Sequence, residues 1–235
     1  MQKPFIKGLS HGLPICLGYF SVSFGFGILA VKSGLASIEA IIISLTNLTS
    51  AGQAAGVGII AAGGTVIEMA LTQLVINLRY SLMGLSLSQK LSDKFTTPHR
   101  LLVSYGITDE IFAMAASQKD KLVPSYMYGM ILISMLGWVG GTAAGAIAGT
   151  ALPVSLTAAM GILLYGMFIA IIIPAARNSK KDLIVILLAA LFSTIFKYLL
   201  PSVSFGFAII ISAVAAAITG AILFPIELAE TEEEK

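Results

Sequence analysis

Arg79 stands inside a run that otherwise suits lipid, Leu71-Thr72-Gln73-Leu74-Val75-Ile76-Asn77-Leu78-Arg79-Tyr80-Ser81-Leu82-Met83. A guanidinium keeps its proton under any biological condition. An unpaired arginine near the centre of a membrane helix costs roughly 2.5–3.5 kcal/mol on insertion scales. The protein must therefore supply a partner, and an intramembrane charge marks a pathway for ions or solute more often than not. Glu68 and Thr72 share a helical stripe with Arg79. Gln73, Asn77 and Tyr80 form a second stripe on another face, so the helix has two polar faces and belongs inside the bundle.

Asp109 and Glu110 supply the opposite charge. Neighbouring helical residues diverge by about 100°, so one carboxylate can meet Arg79 while the other faces a cavity and exchanges a proton. The plainer reading puts both at a helix end near the cytoplasmic surface, since acidic side chains at a helix start are favoured by the dipole. A third feature is the interruption Thr49-Ser50-Ala51-Gly52-Gln53 within an apolar stretch. Broken membrane helices expose backbone groups that must face protein or a water-filled cavity. The half-helix after Gln53 can point its N–H groups at a carboxylate, or the interruption can be a kink with no ligand.

Composition fixes the class that must position these groups. The chain has 235 residues, 57% hydrophobic and 11% charged, and its mean hydropathy is +0.94. Soluble domains carry about a quarter charged residues. Apolar runs at 15–31, 128–148, 158–175, 183–196 and 205–224 approach bilayer-spanning length. The expected fold is all-α, a polytopic integral membrane helical bundle with about six to eight transmembrane segments and at least one broken or re-entrant helix. One transmembrane domain is expected over 1–226, followed by an acidic tail over 227–235. Segments 39–62 and 101–117 decide the count. Eight spans result if both cross, six if neither does, and the positive-inside rule favours six because Lys90, Lys94 and Arg100 then join the other basic loops. Either count puts both termini in the cytoplasm. Pro14 with its glycine-rich helix and broken follower resembles Pro124 with its glycine-rich helix and Pro174-ended follower, which suggests an internal repeat.

Gly137, Gly141, Gly145 and Gly149 repeat at i, i+4 and bare a backbone groove for close helix packing. Lys32 and Lys197 read as snorkelling ends, and Trp138, Tyr126 and Tyr128 as interface anchors or packing. His11 and His99 lie at loop boundaries without the clustered ligands of a metal site. No metal, no cofactor and no enzyme activity are expected, since no GxxxxGK loop and no Ser–His pairing in the apolar runs is present. A basic stripe with interleaved aromatics is missing too, so nucleic acid is not an expected partner.

Pro14 and Gly18 leading to Gly25-Phe26-Gly27, then Ser50-Ala51-Gly52-Gln53, Asn77-Leu78-Arg79-Tyr80 and Thr108-Asp109-Glu110, occur in an order that resembles the AzlC family. The motifs cover residues 13–116; the second half matches in hydropathy only. Tyr80 stands where the family pattern often has histidine. The resemblance implies a large subunit of branched-chain amino-acid exporters in a prokaryotic cytoplasmic membrane. It also implies a small AzlD-type membrane partner and coupling to protons. Arg79, Asn77, Asp109, Glu110, Gln53, Gly52, Ser50, Glu68 and Gln73 are the expected substrate-binding or coupling residues. A scaffold subunit, or a channel-like protein for another small neutral solute, is the alternative.

Overall fold

The computed structural model describes residues 3–148, 166, 169, 172, 173 and 176–225. They fall in two compact units, Met1–Met167 and Phe168–Lys235. The first holds α1 (Pro4–Lys32), α2 (Ser37–Thr46), α3 (Ser50–Ala61), α4 (Val66–Ser88), α5 (Thr97–Tyr105), α6 (Asp109–Ala116) and α7 (Pro124–Ala148). The second holds α8 (Lys180–Leu199) and α9 (Phe205–Leu223). No named strand occurs among the described residues; Leu91 and Leu122 form one isolated bridge.

The first unit is organised around a parallel helix pair. A Cβ on Gly8 would overlap Tyr126 O, one on Gly12 would lie 2.7 Å from Met130 O, and ones on Gly137, Gly141 and Gly145 would overlap the carbonyls of Cys16, Phe20 and Phe24. The partner residue climbs with residue number, so α1 and α7 run the same way with their backbones in contact. Only glycine permits that approach, and three ladder glycines face α1 inside the same chain. Gly149 lies outside the described residues. Both helices open with proline at the first turn, where its missing N–H costs nothing.

The remaining elements take their depth from this pair. Residues 90–92 bond to the segment before α7, with Ser92 N on Leu122 O at 2.9 Å and Leu122 N on Lys90 O at 2.8 Å. Hence α4 and α6 both end where α1 and α7 begin, at what is here termed the near end. Ser37 Oγ donates to Ala146 O at 3.0 Å, so α2 starts at the far end. Helix α3 lies antiparallel to α4: Gly52 O takes the Gln73 amide at 2.8 Å, Gly56 is beside Met69, and Gly64 is beside Glu68. The pair α2–α3 therefore enters from the far end and returns to it. The pair α5–α6 enters from the near end and returns there.

Lengths agree with that reading. Ten and twelve residues make about 15 and 18 Å, and nine and eight make about 13 and 12 Å, against a hydrocarbon core of about 30 Å. Neither 39–62 nor 101–117 crosses; both are re-entrant hairpins. Helix α4, with 23 residues, runs from the far end to the near end, though it is less apolar than α1, α7, α8 and α9. An apolar cluster of Phe26, Ala30, Leu35, Ala40, Val57 and Ala146 closes the far end, and a second one around Leu87, Phe95, Val103, Ile111, Met127 and Met130 closes the near end.

In the second unit α8 and α9 are antiparallel, with Lys181 Nζ 5.9 Å from the Phe224 ring and Gly220 seated against Val185. Their 20 and 19 residues each suffice to cross. The run 158–175, the Pro174-ended part of the suggested repeat and the tail 227–235 lie outside the fully described residues.

Candidate functional site

Between the two apolar clusters the first unit has a polar layer, and the interrupted helices deliver their tips into it. Helix α4 is centred on Asn77, so Arg79 lies about 3 Å from its midpoint. Arg79 Nη2 is 2.8 Å from Asp109 Oδ2. Asp109 is also the first residue of α6, so the carboxylate answers both the guanidinium and the helix dipole. It is a helix start, as the plainer reading held, but one placed at mid-depth. The guanidinium also donates to Tyr80 Oη at 3.3 Å and lies 5.1 Å from that ring's centre.

Glu110 turns to α1. Tyr19, near the centre of that helix, places its hydroxyl 2.5 Å from Glu110 Oε2 and 2.5 Å from Thr108 Oγ1. A phenol has one proton, so it serves only one of these acceptors at a time. Thr108 caps α6 through Ile111 N. The Tyr19 ring stands edge-on to Trp138, 5.2 Å between centres. Trp138 is thus buried packing at mid-depth and not an interface anchor.

Gln73, Asn77 and the α2–α3 tip form the other side. Gln73 Nε2 donates to Gly52 O, and its Oε1 accepts from Asn77 Nδ2 at 3.1 Å. Gly52 is glycine because a Cβ would lie 2.5 Å from Gln73 Oε1. Gln53 is buried and donates to Asn47 O at 2.5 Å, with Ile43 O and Ser44 Oγ both at 3.3 Å. Ser44 Oγ in turn meets Thr142 Oγ1 of α7 at 2.7 Å. Thr49 caps α3 through Gly52 N, leaving Ser50 as the first residue of that half-helix.

A cavity of about 120 Å³ lies where the tips meet, lined by Thr46, Asn47, Leu48 and Thr49 from one hairpin, Ser104, Tyr105 and Ile107 from the other, and Asn77 and Tyr80 from α4. An apolar cavity of roughly 150 Å³ takes benzene, so this one has room for a small solute or a few waters. Gln53 Oε1, Asn77 Oδ1, Arg79 Nε and Trp138 Nε1 are buried without a hydrogen-bond partner, and all four belong to this layer. Buried polar atoms are normally paired, so unmet ones mark where water or solute is accommodated.

The structure thus brings together Arg79, Asp109, Glu110, Gln73, Asn77, Gly52, Gln53 and Ser50 around the two tips. It separates Glu68, which is buried in the first turn of α4, eleven residues or about 16 Å from Arg79. Tyr19, Thr108, Asn47 and Tyr105 join the layer although the sequence did not single them out as site residues. A tyrosine at the centre of an apolar helix, far from either interface, was the available signal. His11 lies within α1 rather than at its boundary; it pairs with Tyr126, and His99 with Tyr128, at 2.9 and 2.6 Å near the start of α7. Among the described residues no three His, Cys, Asp or Glu side chains are grouped to hold a metal ion.

Residues 14–152 match the family model described as AzlC protein. The inner membrane protein YgaZ of Escherichia coli (strain K12) is 28% identical over 185 residues, 75% of this chain and 75% of that protein. An uncharacterized membrane protein of Archaeoglobus fulgidus is 33% identical over 148 residues, covering 63% and 64%. The branched-chain amino acid transport protein AzlC of Bacillus subtilis (strain 168) is 23% identical over 183 residues, covering 75% and 70%. No solved structure matches. The family match spans more than half of the chain and takes in α2–α6 with both hairpins, and the apolar helices on either side agree with it: the protein is a multi-pass membrane protein of the AzlC family.

Proposed function

We propose that the protein is the large subunit of a secondary-active exporter for branched-chain and similar apolar amino acids. It works with a small AzlD-type membrane subunit and is driven by protons. The observation that carries this reading is the Arg79–Asp109 ion pair at the meeting point of two re-entrant hairpins, beside a cavity in an apolar bundle. The transport named for the Bacillus subtilis relative supports the substrate class.

A zwitterion needs partners for a carboxylate and an ammonium, plus an apolar surface. Arg79 and the first turn of α3 can meet the carboxylate; Asp109, Asn77 Oδ1 and tip carbonyls can meet the ammonium; Leu48 and Ile107 provide apolar contact. An aliphatic side chain offers little for discrimination, so neighbouring amino acids are carried too. Glu110, hydrogen-bonded to Tyr19, is the proton carrier in this scheme. Lys3, Lys7, Lys90, Lys94, Arg100, Lys119 and Lys121 cluster towards the near end against Lys32 at the far end, which favours a cytoplasmic near face in an inner membrane.

The test is efflux of labelled leucine or valine from cells that co-express the chain with the small subunit. Arg79→Ala and Asp109→Asn should each abolish efflux at normal membrane levels; unchanged efflux sinks the assignment. A scaffold role is the second reading, favoured by the fact that Arg79 and Asp109 already satisfy each other. Under it Arg79→Ala removes the protein from the membrane instead of slowing transport alone. A channel for a neutral solute is excluded if efflux against a gradient collapses with a protonophore.

A further inference from the structure

The order of elements in the first unit repeats with its direction reversed. Helix α1 crosses from near to far and is followed by a hairpin, α2–α3, that enters from the far end. Helix α4 crosses from far to near and is followed by a hairpin, α5–α6, that enters from the near end. Each hairpin's returning leg opens on a threonine cap, Thr49 to Gly52 N at 3.3 Å and Thr108 to Ile111 N at 3.4 Å. Those threonines are 59 positions apart, and the same step carries Tyr19 to Leu78, between Asn77 and Arg79. The crossing helices also reach across. Tyr19 of α1 bonds the α5–α6 tip, and Gln73 of α4 bonds the α2–α3 tip.

Two halves of inverted direction place one hairpin between the central cavity and each face. Tyr105 at one tip donates to Leu45 O at the other, which closes the tips on each other. A second cavity of about 250 Å³ opens towards the near end, lined by Ser88, Leu91, Phe95, Arg100 and Leu122 among others. It shares Ser104 and Ile107 with the central cavity, so little more than the α5–α6 tip separates the two.

We propose that α2–α3 and α5–α6 are the opposed gates of one pathway, with the Tyr105–Leu45 contact as the shut position between them. Withdrawing α5–α6 joins the central cavity to the near face, and withdrawing α2–α3 joins it to the far face. This rests on the transport reading given above and adds which elements move. It requires no new covalent chemistry, only that each tip exchange its partner for solute or water.

The test uses full-length protein with Cys16, its sole cysteine, replaced by serine. Thr46→Cys reports on the central cavity through a charged, membrane-impermeant thiol reagent applied to right-side-out or inverted vesicles. Labelling from both faces is expected. Gly106→Cys with Ile131→Cys then pins the α5–α6 tip to α7, because a Cβ on Gly106 already meets the Ile131 side chain. Oxidation should slow labelling at position 46, read by peptide mass spectrometry so that the thiols at positions 106 and 131 do not contribute, about tenfold or more from the near face, corresponding to a shift of at least ~1.4 kcal/mol in the open population, and leave the far face unchanged. Reduction should restore it. Each sample is compared with itself before and after oxidation, so a folding defect cannot produce the loss. Should the pinned variant not accumulate, Tyr105→Phe decides: removing the shut contact should raise near-face labelling of Thr46→Cys. Near-face labelling that is absent without pinning, unchanged by pinning, or unaffected by Tyr105→Phe overturns the proposal. None of these readings needs a solute. If amino-acid efflux fails while labelling behaves as described, the exporter assignment falls and the gates stand.

Discussion

At the scale of single residues, an arginine in the membrane interior asks for one strong partner, and Asp109 meets that need at 2.8 Å. Removing either member leaves the other charge unpaired, which costs more than the pair contributes when intact. Reversing both should therefore do less harm than removing one. Arg79→Asp with Asp109→Arg is expected to melt at a higher temperature in detergent than either single charge removal, with all three reaching normal membrane levels. Equal loss in all three would show that position, not pairing, matters. Tyr19→Phe makes a complementary cut: it keeps the ring against Trp138 and deletes the hydroxyl beside Glu110 and Thr108. Hydrogen bonds to charged groups contribute about 1.5–3 kcal/mol, so efflux should fall roughly tenfold or more while melting shifts little. The charges were legible in the sequence because burying them is expensive. Tyr19 was less legible: its central position was a signal, but a phenol suits an apolar helix whether or not its hydroxyl is used. Trp138 was ambiguous for the same reason, since composition does not reveal depth.

At the scale of elements, the glycine ladder shows a local preference overruled by packing. Alanine exceeds glycine in helix propensity by about 1 kcal/mol, so Gly→Ala in an isolated helix is a gain. On the α1 side of α7 the added carbon would overlap the backbone carbonyl of Phe20 from Gly141, or of Phe24 from Gly145. Gly141→Ala is expected to lower the melting temperature clearly, whereas Gly140→Ala, whose nearest atoms are the Phe20 ring carbons at 3.9 Å, should be neutral or stabilising. Gly84→Ala, with nothing within 4 Å, serves as a second control. Fluorescence-detected melting of the three variants separates a packing face from general helix propensity; three equal shifts would remove the packing account. The i, i+4 spacing announced the groove, but not that its partner is parallel and lies over a hundred residues away. The hairpins were half legible in the same way. The interruption at Thr49–Gln53 and the adjacent carboxylates Asp109 and Glu110 within 101–117 stood out, but neither says whether the chain continues or turns back. That depends on which end of the bundle each leg can pack against, as Ser37 does on Ala146 and Lys90 on the carbonyls of Ala116 and Gln118.

At the scale of the molecule, the re-entrant assignment and the charge distribution make one joint prediction. If both hairpins return to the face they enter from, the loops 89–96 and 117–123 share the N-terminus's side of the membrane, and the loops 33–36 and 62–65 share the other. The first set carries Lys90, Lys94, Lys119 and Lys121, and the second carries neither lysine nor arginine. Short basic loops are retained in the cytoplasm, so the first set should lie there. Single cysteines in the Cys16→Ser protein decide this, one at Lys94 and one at Gly63, read with an impermeant maleimide on intact cells. Gly63→Cys should label and Lys94→Cys should label only after permeabilisation. Gly63 has φ +67°, a left-handed conformation that strains a side chain, so Ala62→Cys is the gentler reporter at the same loop. The eight-crossing alternative makes a different forecast. It puts Lys94 outside while leaving residues 117–123 inside, although Ser92 and Leu122 are hydrogen-bonded neighbours in the folded chain. Labelling of Lys94→Cys on intact cells would therefore overturn the topology and the inverted order of the two hairpins built on it. Protection of Lys94 together with exposure of Ala62 leaves three full crossings in the first unit and the polar layer closed to each face by a different hairpin.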